Sequence, residues 1–215
     1  EEDCAIFVCR CAKCQIHADK INAPASSLHS MTSPWPFSMW AFDIVGPLGD
    51  AYAETKKKSF ILTATEYFTK WAEAEAFAEI KASTVVKFVM RNIIARFGVP
   101  KDIVTDNGPQ FISQELHELC DRYGIKLHHS SPYYLQGNGQ AEATNKTLIK
   151  ILKKICEAHR QADWPEKLVE AQWAYRTSIR TPTGQTPYSL TYGMEAVPSY
   201  EILIPSLRVQ LSDEL

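Results

Sequence analysis

The chain has 215 residues and 45% hydrophobic content, which suits a globular protein with one sizeable domain and excludes a disordered one. Its 23 Lys and Arg against 25 Asp and Glu give a formal net charge of −2, which argues against a protein that coats DNA through general positive charge. No apolar run approaches the ~20 residues that span a bilayer, so we expect no membrane partner. We see no signal peptide pattern, and six cysteines are fewer than a secreted disulfide scaffold usually has, so we expect an intracellular protein.

The predicted secondary structure alternates strands and helices after a cysteine-rich start and a proline-containing linker. Strands are predicted from short apolar, β-branched or alternating runs at 39–45, 59–68, 71–77, 102–106 and 125–129. Helices are predicted from apolar residues at helical spacing at 83–98, 113–124, 141–160 and 163–176. The sequence after Thr181 is interpreted as irregular. This order predicts an α/β domain with a mixed sheet, because the first three strands can pair as a meander.

Three acidic residues stand out by their positions. Asp43 lies inside the apolar run AFDIV, Asp106 ends a strand, and Glu142 lies in the first turn of the long helix. Each has an ordinary explanation, either in a turn or at a helix N-terminus. If they converge, however, two carboxylates ~4 Å apart repel by about 4 kcal/mol at an effective dielectric of ~20, so the cluster must hold protons or bind a cation. Oxygen ligands select Mg²⁺ or Mn²⁺, and the residues predict a candidate metal site.

Sequence blocks around these acids carry a family resemblance. The blocks are FDIVGPL at 42–48, TDNGPQF at 105–111 and QGNGQAEATNK at 136–146, with 35 residues between Asp106 and Glu142. They resemble the active-site blocks of retroviral and retrotransposon integrases, whose DDE signature has this spacing. Further blocks resemble the gypsy-like long-terminal-repeat (LTR) retrotransposon branch, namely YFTKWAEA at 67–74, RFGVP at 96–100 and TPYSLTYG at 186–193.

The resemblance implies an RNase H-like fold, with a five-stranded mixed sheet flanked by α-helices. It implies a polynucleotidyl transferase with endonuclease activity, which trims the 3′ ends of LTR retrotransposon DNA and joins them to target DNA. Two Mg²⁺ or Mn²⁺ ions are the implied cofactors, with Asp43 as the shared ligand, Asp106 completing one metal site and Glu142 the other. Element ends and target DNA are the implied partners, the chain is expected to form a homo-oligomer, and action on host DNA implies the nucleus.

The long helix predicts a basic track beside Glu142. At ~100° per residue, Lys146 lies about 40° and Lys153 about 20° from Glu142, and the apolar stripe lies on the opposite side. We predict DNA contacts at Asn145, Lys146, Lys150 and Lys153. The resemblance adds that Asn145 and Lys146 correspond to positions that contact the DNA end. The alternative is a solvated, lysine-rich helix face.

The cysteine-rich start resembles half of a zinc module. Cys11-Ala-Lys-Cys14 matches the second half of the family's His-His-Cys-Cys pattern, but no His precedes Cys11. Cys11 and Cys14 would form a partial zinc site. Cys4, Cys9 or His17 are the candidates to substitute for the missing ligands, but we expect the zinc site not to be filled. The predicted organisation is a remnant of the zinc module at 1–17, a linker at 18–38, the catalytic core at 39–195 and a C-terminal extension at 196–215.

Two departures from the family pattern leave alternatives open. The loop 130–140 has Tyr134-Leu135 where relatives often have His-Pro, and Glu66 replaces a common Asp in what we interpret as an exposed change. The main alternative is a catalytically inactive or domesticated RNase H-like module that binds nucleic acid. Another is an RNase H-like nuclease that cleaves DNA without joining it.

Overall fold

A computed structural model describes residues 3, 6, 7, 10, 11, 33–48, 58–130, 139–158 and 164–197. The chain divides into two compact units, Glu1–Ser30 and Met31–Leu215, and the strands and helices below belong to the second. Most of the predicted loop 130–140 and of the C-terminal extension lies outside the described residues. The predicted domain boundaries therefore stay predictions.

Five strands form one mixed sheet in the order β3-β2-β1-β4-β5. They are β1 (Met39–Val45), β2 (Phe60–Glu66), β3 (Ala72–Phe77), β4 (Asp102–Thr105) and β5 (Lys126–His129). β2 pairs antiparallel with both β1 and β3, while β4 pairs parallel with both β1 and β5. The predicted meander and the predicted mixed five-stranded sheet are both confirmed, and β1 is the central strand.

The central strand is apolar because both of its faces are covered. Trp40 and Phe42 are buried on one face, and Ala41 is buried on the other. β1 ends where Gly46 takes φ 139°, a conformation in which an added Cβ would lie 2.6 Å from the Ser59 carbonyl oxygen. The glycine thus ends the strand where the sequence predicted.

Helices cover both faces of the sheet. They are α1 (Ala82–Phe88, continued by a π-helical segment Val89–Ile94 and a turn Ala95–Phe97), α2 (Gln114–Tyr123), α3 (Gly139–Ala158), α4 (Trp164–Arg176) and α5 (Pro187–Tyr192). In the described part of the chain, no helix is both long and apolar enough to cross a membrane.

Helix α5 corrects the prediction that the sequence after Thr181 is irregular. The Thr186 hydroxyl caps the helix by accepting a hydrogen bond from Ser189 N at 3.0 Å, and Pro187 occupies the first turn. Gly193 ends the helix in the left-handed conformation, with φ 75°. These start and stop signals were present in the sequence, but a six-residue helix has too few apolar repeats for the periodicity to reveal it.

The two faces of the sheet carry separate apolar layers. Side chains such as Trp40, Phe42 and Ile103 pack with α1 and α2 on one face. On the other face, Ile61 packs with the apolar stripe of α3 and with α4. In this layer the predicted stripe is confirmed, because Leu148, Leu152 and Cys156 are buried and Ile151 and Ile155 are partly buried against them. Because the apolar stripe packs against the sheet, the opposite face of α3 is directed away from the sheet.

Glu66 also differs from its prediction, because it is fully buried and not exposed. Its carboxylate accepts hydrogen bonds from Phe68 N at 2.9 Å and from both the amide and the hydroxyl of Thr69 at 2.6 Å. The residue therefore holds the turn between β2 and β3, where satisfied hydrogen bonds compensate the burial of its charge.

Candidate active site

Two of the predicted acids lie at the same edge of the sheet. β1 and β4 run parallel, and the last pair in their register is Ala41 with Val104. Continuing both strands by two residues places Asp43 beside Asp106, on the same face as that pair. Neighbouring strands lie about 4.8 Å apart, so the register alone brings the two side chains together.

Asp106 is held by the turn that follows β4. Its Oδ1 accepts a hydrogen bond from Gly108 N at 3.0 Å, and its carbonyl accepts one from the Thr105 hydroxyl at 3.0 Å. A Cβ added at Gly108 would lie 3.0 Å from the same Oδ1, so glycine permits this close approach. The ordinary explanation for Asp106, that it starts the Asn-Gly turn, holds alongside its place next to Asp43.

The third acid is brought to this edge by helix α3, which packs against β1 and β2. Asn145 Nδ2 donates a 2.8 Å hydrogen bond to Asp43 Oδ2, tying the helix to the strand. Glu142 lies in the first turn of α3, three residues before Asn145, and residues at this spacing share a helix face. The exposed Glu142 carboxylate therefore lies on the side of α3 that faces Asp43.

The charges of Asp106 and Glu142 act on Asp43. Burial raises the pKa of Asp43 above its ordinary value of 3.8, and the charges of Asp106 and Glu142 raise it further. Hydrogen bonds from Ile44 N, at 2.8 Å, and from Asn145 oppose this rise in the pKa. Asp106 and Glu142 therefore each lie within electrostatic reach of Asp43.

The donor set suits a hard divalent cation. Asp43, Asp106 and Glu142 offer only oxygen, which Mg²⁺ and Mn²⁺ prefer. Within the described ranges, no three His, Cys, Asp or Glu side chains are grouped closely enough to hold one metal ion together. Asp106 and Glu142 each act on Asp43 through their charges, so Asp43 is close to both. This arrangement fits a carboxylate that is shared between two metal sites. The predicted metal ligands stay a prediction.

A lysine-lined groove of about 550 Å³ continues from this edge along α3. Its lining residues include Val45, Asn145, Lys146, Ile149, Lys150, Lys153, Lys154 and Glu157. All the residues predicted to bind DNA therefore share one surface, to which the structure adds Lys154. At ~100° per residue, Lys154 lies about 120° around the helix from Glu142, farther than the lysines predicted from the sequence, and it was therefore missed.

Asn145 occupies this groove in an unexpected way. It is only 6% exposed, its Nδ2 is bonded to Asp43, and its Oδ1 is buried without a hydrogen-bond partner among the described residues. The structure gives Asn145 a contact within the site that sequence reasoning missed. Its DNA contact, like those of the lysines, stays a prediction.

The predicted zinc ligands are only partly visible. Cys11 is half-buried, whereas Cys14 lies outside the described residues, so the zinc prediction is untested. In the core, burial raises the pKa of Cys120 to about 11, with a smaller contribution from the charge of Asp121. The Cys120 thiol is therefore protonated at neutral pH.

Comparison with known proteins identifies the domain around this site. Residues 34–134 match the family described as Integrase core domain. Over this range the chain is similar to integrase core domains. This range includes Asp43 and Asp106, and the retrotransposon integrase resemblance seen in the sequence blocks is confirmed.

Retrotransposon polyproteins are among the relatives of this chain. The chain is 27% identical over 188 residues to the Transposon Tf2-3 and Tf2-4 polyproteins of Schizosaccharomyces pombe, covering 86% of this chain and 14% of each polyprotein. The chain thus spans 14% of the length of these relatives.

Solved retroviral structures share the fold of this chain. A simian T-cell lymphotropic virus intasome matches with a TM-score of 0.68 at 22% identity, covering 92% of this chain and 68% of that one. The HTLV-2 integrase catalytic core domain in complex with magnesium, in a trimeric form, matches with a TM-score of 0.58 at 25% identity, covering 73% and 97%. Its dimeric form matches with a TM-score of 0.59 at 23% identity, covering 74% and 99%. The predicted RNase H-like fold is confirmed.

The Asn145 bond to Asp43 leads to a testable prediction. We expect Asn145→Ala to lower strand joining by about 10- to 100-fold, the usual effect of removing a partner that orients a metal-binding carboxylate. Asn92→Ala is the matched control, since Asn92 lies on the π-helical segment that continues α1 and donates a 3.2 Å hydrogen bond to Glu75 on β3. The assay is DNA strand joining in Mg²⁺. Equal losses in both variants would contradict a positioning role for Asn145.

Proposed function

We propose that this chain is the catalytic core of an LTR retrotransposon integrase, which trims the 3′ ends of the element's DNA and joins them to target DNA. Support comes from the integrase core domain and from the retrotransposon polyproteins among its relatives. The observation that carries the proposal is the geometry around Asp43: the parallel register of β1 and β4 places Asp106 beside it, and the Asn145 hydrogen bond turns the α3 face that carries Glu142 toward it. The three acids match those of the family's DDE signature.

The three acids are proposed as the ligands of two divalent ions, with Asp43 shared between them. When bound, two Mg²⁺ ions neutralise charge on a reacting phosphate and activate the attacking oxygen. The chain's own part is to orient the carboxylates. Asn145 and Ile44 N hold the two oxygens of Asp43, and the turn at Gly108 holds Asp106. A proton on Asp43 competes with cation binding, so affinity for Mg²⁺ should fall as the pH is lowered through the raised pKa of Asp43.

The lysines of the α3 groove are proposed to hold the DNA backbone beside the acids. Lys146, Lys150 and Lys153 line the groove together with Lys154, and contacts from lysine to phosphate fix register without reading sequence. We further propose that the chain works as a homo-oligomer on DNA in the nucleus. Support for the oligomer comes from the HTLV-2 cores, which are described in dimeric and trimeric forms.

The experiment uses one labelled duplex that carries the element's end and separates trimmed, nicked and joined products on a denaturing gel. We expect the chain to give joined products in Mg²⁺ and Glu142→Gln to give none above background, because the amide is a poor ligand for a divalent ion. Glu115→Gln is the matched control. Both glutamates lie in the first turn of a helix and both are exposed, but Glu115 lies on α2.

The other possible products separate the competing functions. Nicking without joining indicates an RNase H-like nuclease. Salt-sensitive DNA binding with no turnover indicates an inactive nucleic-acid-binding module. Undiminished joining by Glu142→Gln would contradict the assignment of the third acid.

A further inference from the structure

A second cavity lies on the side of α3 that faces away from the acids. It has a volume of about 270 Å³, and its polar lining residues include Lys70, Gln140, Thr144, Thr147, Tyr175 and Arg180. At ~100° per residue, the three lining residues Gln140, Thr144 and Thr147 lie about 140–200° from Glu142 around the helix. The cavity is therefore distinct from the acid site and from the lysine groove.

One side of this cavity carries the ammonium group of Lys70. Its Nζ donates hydrogen bonds to Gln140 Oε1 at 2.7 Å and to the Tyr67 carbonyl at 2.5 Å. An ammonium group has three N–H donors, so one donor remains for a ligand. Burial lowers the pKa of Lys70, and the charge of Glu66 opposes this change. The Glu66 carboxylate itself accepts the hydrogen bonds of the Phe68 and Thr69 amides. Lys70 is thus a fixed cation with unused hydrogen-bonding capacity.

The other side carries the guanidinium group of Arg180. It lies over the Tyr175 ring, with 4.3 Å from Cζ to the ring centroid, and its Nε donates to the Ser178 carbonyl at 3.0 Å. These two contacts fix the plane of the group and leave its terminal nitrogens without a partner among the described residues. A planar guanidinium held in this way is suited to donate two hydrogen bonds to a phosphate.

Hydroxyl groups complete the lining between the two cations. The Thr144 and Tyr175 hydroxyls lie 3.2 Å apart, so one donates to the other and one O–H of the pair remains. The Thr147 hydroxyl donates to the Ala143 carbonyl at 3.0 Å. No described residue that lines the cavity is acidic. Two cations, the Gln140 amide and one hydroxyl donor, without a carboxylate, form a donor set that favours an anion.

We propose that this cavity binds a phosphate group of a nucleic-acid backbone. Arg, Lys, Thr, Tyr and Gln side chains are the donors that proteins use on DNA phosphates. The volume admits a phosphate with part of its sugar and lies below the roughly 300 Å³ at which pockets for whole small ligands begin. The inference rests on the proposed function in taking DNA as the partner. Helix α3 then lies between two DNA segments, one along its lysine groove and one at this cavity.

The first test is the salt dependence of DNA binding by the full chain, measured by fluorescence anisotropy of a labelled duplex across a range of NaCl. Each phosphate contact contributes about 0.9 to the slope of log K against log salt. We expect Arg180→Gln to reduce that slope by about 1 and Arg180→Lys to retain most of it. Lys87→Gln is the charge-matched control because Lys87 is exposed on α1, and its slope should equal that of the unchanged chain.

The second test needs no DNA and reads the cavity directly. In NMR spectra of the unchanged chain, inorganic phosphate should shift the Arg180 side-chain Nε–Hε signal, whereas chloride at equal ionic strength should not. No shift with phosphate overturns the site. A phosphate shift with an unchanged salt slope in Arg180→Gln overturns the nucleic-acid source and indicates a free phosphorylated ligand. Loss of joining in Glu142→Gln is independent of both readouts, so failure here and failure of the proposed function are distinguishable.

Discussion

Replacing Asp43 with Asn is expected to lower strand joining by about 10³-fold or more. Asp43 is the acid on the central strand whose pKa responds to both other acids, so it is the proposed shared ligand of two ions. A divalent ion supplies several kcal/mol of charge stabilisation in the transition state, and about 4 kcal/mol corresponds to 10³-fold in rate. The measurement is the rate of joined product in Mg²⁺ under single-turnover conditions.

The fold should tolerate this substitution. An Asn side chain at 43 can still accept the hydrogen bond from Ile44 N, and its amide group can donate to Asn145 Oδ1, which has no hydrogen-bond partner among the described residues. Because burial raises the pKa of Asp43, the folded state favours the protonated form. Protonated Asp43 contributes its full stabilisation when the pH is below 3.8, the ordinary pKa that we assign to the unfolded chain. That contribution is lost as the pH rises through the raised pKa of the folded state.

Thermal unfolding therefore distinguishes a lost ligand from a lost fold. Without divalent ions at neutral pH, Asp43→Asn should melt at or above the temperature of the unchanged chain, and the difference should narrow as the pH falls toward 3.8. Added Mg²⁺ should raise the melting temperature of the unchanged chain, and chelation should reverse this. At a Mg²⁺ concentration of 100 times Kd, the free energy of unfolding should rise by about 2.7 kcal/mol. An equal Mg²⁺ effect in Asp43→Asn would contradict the ligand assignment.

The active-site edge could be predicted because its signals are local. The apolar run around Asp43, the β-branched run before Asp106 and the periodic helix after Glu142 each define an element. The family spacing then brings the three acids together. The parallel register of β1 with β4 agrees with that expectation, since it places Asp43 beside Asp106.

Contacts between distant segments could not be predicted in the same way. The bond from Asn145 to Asp43 joins residues 102 positions apart, and nothing in the helix periodicity indicates that the amide turns inward. The sequence leads to an exposed Glu66, yet the residue is buried and three donors of the following turn satisfy it. The Lys70 cavity likewise needs two segments that only the fold brings together.

A buried ion network around Glu73 on β3 shows the same dependence on tertiary structure. Glu73 is 5% exposed and accepts hydrogen bonds from Trp71 Nε1 at 2.7 Å, and its carboxylate pairs with Arg176 at 3.0 Å and Arg96 at 2.6 Å. Arg176 also lies over the Trp71 ring, 4.3 Å from its centroid. Burial lowers the pKa of Arg176, and the charge of Glu73 opposes that change. One carboxylate thus compensates a buried guanidinium between β3 and α4.

Replacing Glu73 with Ala is expected to lower the free energy of unfolding by about 3–5 kcal/mol, because it leaves the Arg176 charge buried without its partner. Urea denaturation followed by circular dichroism measures the change. Glu75→Ala is the matched control on the same strand, since Glu75 accepts one hydrogen bond, from Asn92, and its loss should be about 1 kcal/mol. The double variant Glu73→Met/Arg176→Met should recover part of the loss, because it removes the buried charge, although it also removes the two hydrogen bonds that Arg176 donates to the Ala72 carbonyl. If the double variant is as unstable as Glu73→Ala, packing or the lost hydrogen bonds to Ala72, and not the buried charge, explain the effect.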